Sequence, residues 1–177
     1  MTKMIFAGFG GQGVMTLGQI VALMAMGQGK QVSWMPSYGA EMRGGTANCS
    51  LVFSDGAIGN PYVLSDIDIL CALNGPSVDK FLPRLRSGGM VLYNSSIVTG
   101  PIARVDVTAI PVDATNIATT VGSAKVQNMA MLGALMRATD LFTLDHVKQV
   151  LEDVFQDKGP ALLSLNLAAI GAGNTST

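Results

Sequence analysis

Lys3-Met4-Ile5-Phe6-Ala7 runs straight into Gly8-Phe9-Gly10-Gly11-Gln12-Gly13, and Val14, Leu17, Ile20, Val21, Met24 and Ala25 then recur at helical spacing. A short apolar run makes a strand, clustered glycines make a tight turn, and apolar residues three and four apart make one buried helix face. Gly27 to Gly29 end that helix. Gln31-Val32-Ser33-Trp34-Met35 then reads as a second strand, stopped by Pro36, which lacks an N–H. Strand, helix, strand is a βαβ unit, so its two strands are expected to be parallel and joined by a right-handed crossover.

Outward from this unit, Thr46 to Ser54 is a strand with Ala47, Cys49, Leu51 and Phe53 on one face. It follows its predecessor too closely for a crossover helix, so the sheet is expected to be mixed. Ile67 to Leu73 and Met90 to Tyr93 are apolar strands, and Arg104 to Ile110 alternates as another. Ser77 is placed to cap a short helix reaching Leu85, and Asp113 one reaching Ala118. Lys125 to Thr139 carries a wide apolar helical face, Thr143 caps a helix to Phe155, and a last helix covers Pro160 to about Ala172. The fold expected is α/β: a three-layer α/β/α sandwich with a mixed, mostly parallel sheet and a Rossmann-like first βαβ unit. Residues 1–173 read as one domain and 174–177 as a frayed tail.

Among 177 residues there are 11 Lys+Arg and 12 Asp+Glu, so 13% of positions are charged, against roughly 25% in an average soluble domain. With 49% hydrophobic residues the chain has the composition of a folding globule, which sets disorder aside. A net charge of −1 supplies no field for nucleic acid. No apolar stretch approaches the roughly 18–20 residues of a membrane span, and the N-terminus lacks a signal-peptide pattern, so a cytoplasmic location is expected. The charge deficit also suggests a surface covered by other chains. Cys49, Cys71 and a single His146 cannot make an iron–sulfur or zinc site within one chain, and both cysteines read as buried and reduced.

Gly8, Gly10 and Gly13 match G-x-G-x-x-G between a strand and a helix. Three readings stand open: a dinucleotide site, an anion site on the helix N-terminus, or a tight structural turn. The acid expected on the ribose is absent, since the second strand ends Ser33-Trp34-Met35-Pro36. The cofactor-binding candidates are Gly8, Gly10, Gly11, Gln12 and Gly13. The second concentration of polar groups is Pro36 to Asn48, where Tyr38, Glu41, Arg43, Gly44, Gly45, Thr46 and Asn48 form a candidate interface or ligand loop. Arg43 is a fixed-charge bidentate donor for a carboxylate or phosphate, and Gly44-Gly45 permit close approach of a partner. A local Glu41–Arg43 ion pair is the alternative reading.

Gly8 to Val14, then Pro36 to Cys49, then Ser54-Asp55 with Ile58-Gly59, closely resemble the gamma subunit of the 2-oxoacid:ferredoxin (acceptor) oxidoreductases, and the likeness extends to Asn166 to Gly171. The resemblance implies a subunit or domain of an enzyme that oxidatively decarboxylates a 2-oxoacid to its acyl-CoA and passes electrons to ferredoxin. It implies thiamine diphosphate and iron–sulfur clusters held by alpha and beta subunits, with delta a further candidate, and coenzyme A bound in the parent complex. On this basis the chain itself holds no cofactor or metal and carries no catalytic residue. Met42, Thr46 and Ala47 look more like the 2-oxoglutarate or branched-chain types than the pyruvate type. The alternative from a different class is a free-standing NAD(P)- or CoA/nucleotide-binding α/β protein.

The remaining candidates read as structural. His146 lies in the first turn of its helix and reads as solvated, and the helical methionines as core and contact residues. Trp34 is either a core anchor or an interface residue. Asp66 and Asp68 have no base or metal partner nearby, and Ser95-Ser96 has no nucleophile-elbow pattern. Without its siblings the chain is expected to self-associate through apolar patches.

Overall fold

The computed structural model describes residues 1–38 and 46–176. Six strands, β1 (Thr2–Phe9), β2 (Gln31–Tyr38), β3 (Thr46–Ser54), β4 (Ile67–Ala72), β5 (Leu85–Asn94) and β6 (Thr108–Val112), form one sheet in the order β2-β3-β1-β4-β5-β6. The helices are α1 (Val14–Gly27), α2 (Gly75–Phe81), α3 (Ala114–Val121), α4 (Gln127–Thr139), α5 (Leu144–Phe155) and α6 (Pro160–Thr175). The mixed, mostly parallel sheet with helices on both faces is as expected.

β1, β4, β5 and β6 are parallel, whereas β3 runs antiparallel to both β1 and β2. The first βαβ unit is therefore split: β1 and β2 point the same way, with β3 lodged between them. β3 returns directly from β2 and pairs along its length on both sides, from Thr2↔Phe53 to Phe9↔Thr46 and from Gln31↔Ser54 to Tyr38↔Ala47. This pairing supplies the backbone partners that a crossover strand would otherwise have offered.

Alternation along β1 sorts the core. Met4 and Phe6 face α1, α4 and α5 with Cys49, Leu51, Cys71 and Leu92. Ile5 and Ala7 face the thinner layer, where Val78 and Phe81 of α2 and Val63 pack over Val52, Leu70 and Val91. α6 lies against α4, backbone to backbone. A Cβ at Gly133 would stand 2.1 Å from the Ile170 carbonyl oxygen, and one at Gly173 would stand 2.0 Å from that of Ala130.

Several boundaries differ from the sequence reading. β2 continues through Pro36 to Tyr38, because β2 is an edge strand and a proline is tolerated there. α2 is capped by Asn74, whose Oδ1 accepts the Ser77 N–H at 2.9 Å, not by Ser77; it ends at Phe81, with a 3-10 turn over Leu82–Arg84. β5 begins at Leu85 and carries a register shift opposite Ile67 and Ile69, with Gly88 at φ 74. β6 covers Thr108–Val112, because Arg104 is drawn to the carbonyls of Leu82 (3.0 Å) and Leu85 (2.6 Å). α6 runs to Thr175, past the expected end at Ala172.

Candidate functional site

The carboxyl ends of β1, β4, β5 and β6 share one edge of the sheet, the place where open α/β folds collect ligands. α1, α2 and α3 each start at this edge, and α4 joins them through Asn128, whose Nδ2 donates to the Gly13 carbonyl at 3.1 Å. None of these four helices has an acidic residue in its first turn. Neutral carboxamides and hydroxyls gather at these helix starts, and Asp113, the N-cap residue of α3, adds a carboxylate.

Gln12 reaches back across the glycine turn. Its Oε1 accepts the Phe9 N–H at 2.7 Å and Asn74 Nδ2 at 3.1 Å, and its Nε2 donates to the Leu73 carbonyl at 3.2 Å. Gly13 is the N-cap of α1 at φ 75, a conformation that costs a side-chain-bearing residue; a Cβ there would also sit 2.4 Å from Asn128 Nδ2. A second set lies at the ends of β5 and β6. Asn94, fully buried, donates through Nδ2 to Thr115 Oγ1 (2.9 Å) and Gln127 Oε1 (3.2 Å). Ser96 Oγ donates to Asp113 Oδ1 at 2.5 Å and accepts the Thr115 N–H. The expected Asp113 cap is thus delegated: Asp113 makes no side-chain cap bond, and Ser96 serves the first turn of α3 instead.

The expected loop is rooted beside this turn. Thr46 pairs with Phe9, Asn48 with Ala7 and Ser37, and Tyr38 with Ala47. Thr46 is exposed and Asn48 half-buried. Glu41, Arg43, Gly44 and Gly45 lie outside the described residues. The structure thus brings Gly8, Gly10, Gly11, Gln12 and Gly13 together with Thr46 and Asn48 along one sheet edge. Sequence reading did not assign Asn74, Asn94, Gln127 or Asn128 to the site. The available signal was a carboxamide standing at the end of an apolar strand or at the start of a helix.

The other candidates sit elsewhere. His146 packs near Gly27, at the far end of α1, about 20 Å from the glycine turn for a helix of this length, and cannot exchange a proton there. Cys49 and Cys71 flank Phe6 in register on one sheet face. Two strand spacings, about 10 Å, are too far for a disulfide. Burial pushes the Cys49 thiol up to about 12, opposed by the Trp34 indole N–H beside it, and pushes Cys71 up as well. Neither is a thiolate near neutrality, so neither is poised as a nucleophile. Trp34 is half-buried against the α1 side of the core. Met24, Met129, Met131 and Met136 fill the core, whereas Met26 is exposed.

Two N–H groups of the turn are held internally, that of Phe9 by Gln12 and that of Gln12 by the Phe9 carbonyl at 3.1 Å.

The pyruvate ferredoxin/flavodoxin oxidoreductase (POR) family model matches residues 3–175. The chain belongs to this family. Subunit VorA of the ketoisovalerate oxidoreductase of Methanothermobacter thermautotrophicus is 39% identical over 169 residues, covering 94% of this chain and 34% of VorA. The 2-oxoglutarate synthase subunit KorC of Methanocaldococcus jannaschii is 35% identical over 150 residues, covering 83% of this chain and 80% of KorC. Among solved structures, the gamma subunit of a keto/oxoacid ferredoxin oxidoreductase from Geobacter sulfurreducens superposes with a TM-score of 0.81 at 30% identity, covering 98% of this chain and 96% of that one. The 2-oxoglutarate:ferredoxin oxidoreductase of Magnetococcus marinus, solved with 2-oxoglutarate, coenzyme A and succinyl-CoA, superposes at 0.89 and 26% identity, over 98% of this chain and 30% of that one. The chain thus spans about a third of VorA and of the Magnetococcus chain, and nearly all of the Geobacter gamma subunit.

Proposed function

We propose that this chain is the gamma subunit, or gamma domain, of a 2-oxoacid:ferredoxin oxidoreductase that oxidatively decarboxylates a 2-oxoacid to its acyl-CoA. The observation that carries the reading is the mutual coverage with the Geobacter gamma subunit, at a TM-score of 0.81. Alpha and beta subunits, with delta a further candidate, supply thiamine diphosphate and the iron–sulfur clusters, and ferredoxin is reached through the complex. Thiamine diphosphate supplies the stabilised carbanion on which 2-oxoacid decarboxylation depends. A cytoplasmic location accompanies this assignment.

The residue inventory supports a scaffolding and docking role. Among the described residues the carboxyl edge offers chiefly carboxamides and hydroxyls held in internal hydrogen bonds, which supports a chain that acts through its complex and not alone. The segment rooted at Tyr38, Thr46 and Asn48 faces the thiamine-binding subunits or the path of coenzyme A, and Arg43 clamps a phosphate or a partner carboxylate. A branched-chain 2-oxoacid or 2-oxoglutarate is favoured over pyruvate. The gradient of identity points the same way: 39% to VorA, 35% to a KorC and 29% to the pyruvate synthase subunit PorC of Methanothermobacter thermautotrophicus.

The test is CoA-dependent reduction of ferredoxin by the purified complex, with each 2-oxoacid supplied in turn. Activity with 2-oxoisovalerate or 2-oxoglutarate above pyruvate is expected, and activity with none of them would remove the assignment. In the same assay Arg43→Ala should weaken assembly or coenzyme A use by about 3–5 kcal/mol if its partner is buried. A variant complex that assembles and turns over like wild type would end the role given to Arg43.

A further inference from the structure

Two contacts of β1 fix which way each backbone group of β2 points. The Lys3 N–H goes to Asp68 at 2.7 Å and the Ala7 carbonyl takes the Leu73 N–H at 2.8 Å, so Lys3, Ile5 and Ala7 turn toward β4. Direction alternates along a strand, so Met4, Phe6 and Gly8 turn toward β3 and bond Leu51, Cys49 and Ala47. The residues between those three, Asn48 and Ser50, with Val52 beyond Leu51, therefore turn toward β2, where they meet Ser37, Met35 and Ser33. Val32, Trp34 and Pro36 are left pointing out of the sheet, of which β2 is the edge. Pro36 agrees with this assignment, since its missing N–H falls where no ladder bond to β3 is made.

The open edge is bounded at both ends. The Lys30 N–H is spent on the Ala25 carbonyl at 3.2 Å, and the Pro36 ring stands where a further strand would approach. Between them, Gln31 to Met35 present two outward donors, the N–H groups of Val32 and Trp34, together with the carbonyls of the same residues. Edge strands are commonly guarded by a charge or a bulge. β2 carries no charged residue, and its pairing to β3 runs unbroken from Gln31 to Tyr38.

This edge complements itself. A second β2 laid antiparallel about a two-fold axis at Ser33 sets Val32 against the copy's Trp34, and Trp34 against the copy's Val32. Each such pair exchanges two N–H···O=C bonds, so every outward donor of the two bounded edges is used. Both prolines then fall beyond the ends of the pairing, whereas an axis at Trp34 would drive each Pro36 ring against the opposite Val32. On the α1 side the half-buried Val32 and Trp34 pack across the axis as an aliphatic–aromatic pair. On the other side Ser33 meets its own copy. Lys30, the nearest charge, is already paired with Asp55 at 2.7 Å. Tyr62 and Leu64, both exposed, share a groove with Met35 and Pro36 and so lie beside the joined edge.

We propose that β2 is a docking edge for a second copy of this chain, the two sheets joining into one by antiparallel β2–β2 pairing centred on Ser33. This surface is separate from the carboxyl edge of the sheet, and it brings gamma chains together in pairs.

The test is disulfide cross-linking of the full chain under diamide, with single cysteines at two positions of β2. Across the axis, Ser33 and its copy form a non-hydrogen-bonded pair with Cα atoms about 4.5 Å apart, within disulfide reach. Gln31 and its copy lie four residues out of register, about 14 Å apart. Ser33→Cys should form the disulfide dimer at least tenfold faster than Gln31→Cys, and mixing Gln31→Cys with Met35→Cys should restore the fast rate. Wild type, whose Cys49 and Cys71 are buried, should form none. Independently, Ser33→Lys places like charges at the axis and should weaken the dimer at least tenfold in sedimentation equilibrium, less so at high salt. Equal cross-linking rates at Ser33 and Gln31, a wild-type dimer that Ser33→Lys leaves unchanged, or a wild-type monomer at every concentration would each overturn the proposal. These readouts use the chain alone, so their failure leaves the assignment to an oxidoreductase complex intact.

Discussion

Cys49 shows what burial does at the scale of one residue. Its sulfur lies beneath α1, and a Cβ at Gly18 would come within 2.3 Å of it. The thiol is pushed from its ordinary value near 9 up to about 12. Since the folded state keeps the proton that the unfolded state releases, the contribution to stability is full below pH 9 and declines as pH rises from 9 toward 12. The decline should approach about 1.4 kcal/mol per pH unit, and Cys71, shifted in the same direction, adds to it. Urea unfolding of wild type and Cys49→Ala across this range checks the sign; wild type should lose more stability than the variant. Cys49 and Cys71 were legible as core residues because each stands in an apolar strand. Gln12 was not legible in its present role, since its partners Leu73 and Asn74 lie 61 and 62 residues away in sequence. Asn74→Ala removes both the α2 cap and a donor to Gln12, and should cost about 1–3 kcal/mol in urea unfolding.

At the scale of elements, strands and helices followed from periodicity, while their ends were set by contacts that periodicity does not carry. Pro36 was expected to stop β2, yet it is accommodated on an edge that only the strand order defines. β3 was expected to make the sheet mixed, and it does, but its insertion between β1 and β2 depends on pairing to both. α6 was expected to end near Ala172; its last turns instead lie against α4, where Gly133 and Gly173 let the two backbones touch. Gly133→Ala forces a methyl into the Ile170 carbonyl, a backbone atom that cannot swing aside. Overpacking of this kind costs about 1–3 kcal/mol or more, a fall in Tm of roughly 2–10 °C for a chain of this size. A Gly133→Ala chain that melts with wild type would show that α6 is free to shift.

At the scale of the whole molecule, the 13% of charged residues now has a location. Residues 159–177 contain one lysine-free, acid-free helix, α6, with Ala161, Ser164 and Ala168 exposed on its outer side. Tyr62 and Leu64 are 57% and 71% exposed beside the thinly covered face of β2 and β3. Such a surface suits a chain that meets sibling subunits more than water, and the isolated chain should self-associate. Sedimentation at several concentrations reads this directly, and a monomer unchanged on concentration would contradict it. The most direct measurement of the central claim is affinity purification of the chain from native extract, with identification and stoichiometry of the proteins that come with it. The account predicts stoichiometric recovery of thiamine- and cluster-binding subunits of a 2-oxoacid oxidoreductase. Recovery of this chain alone under mild conditions would contradict it.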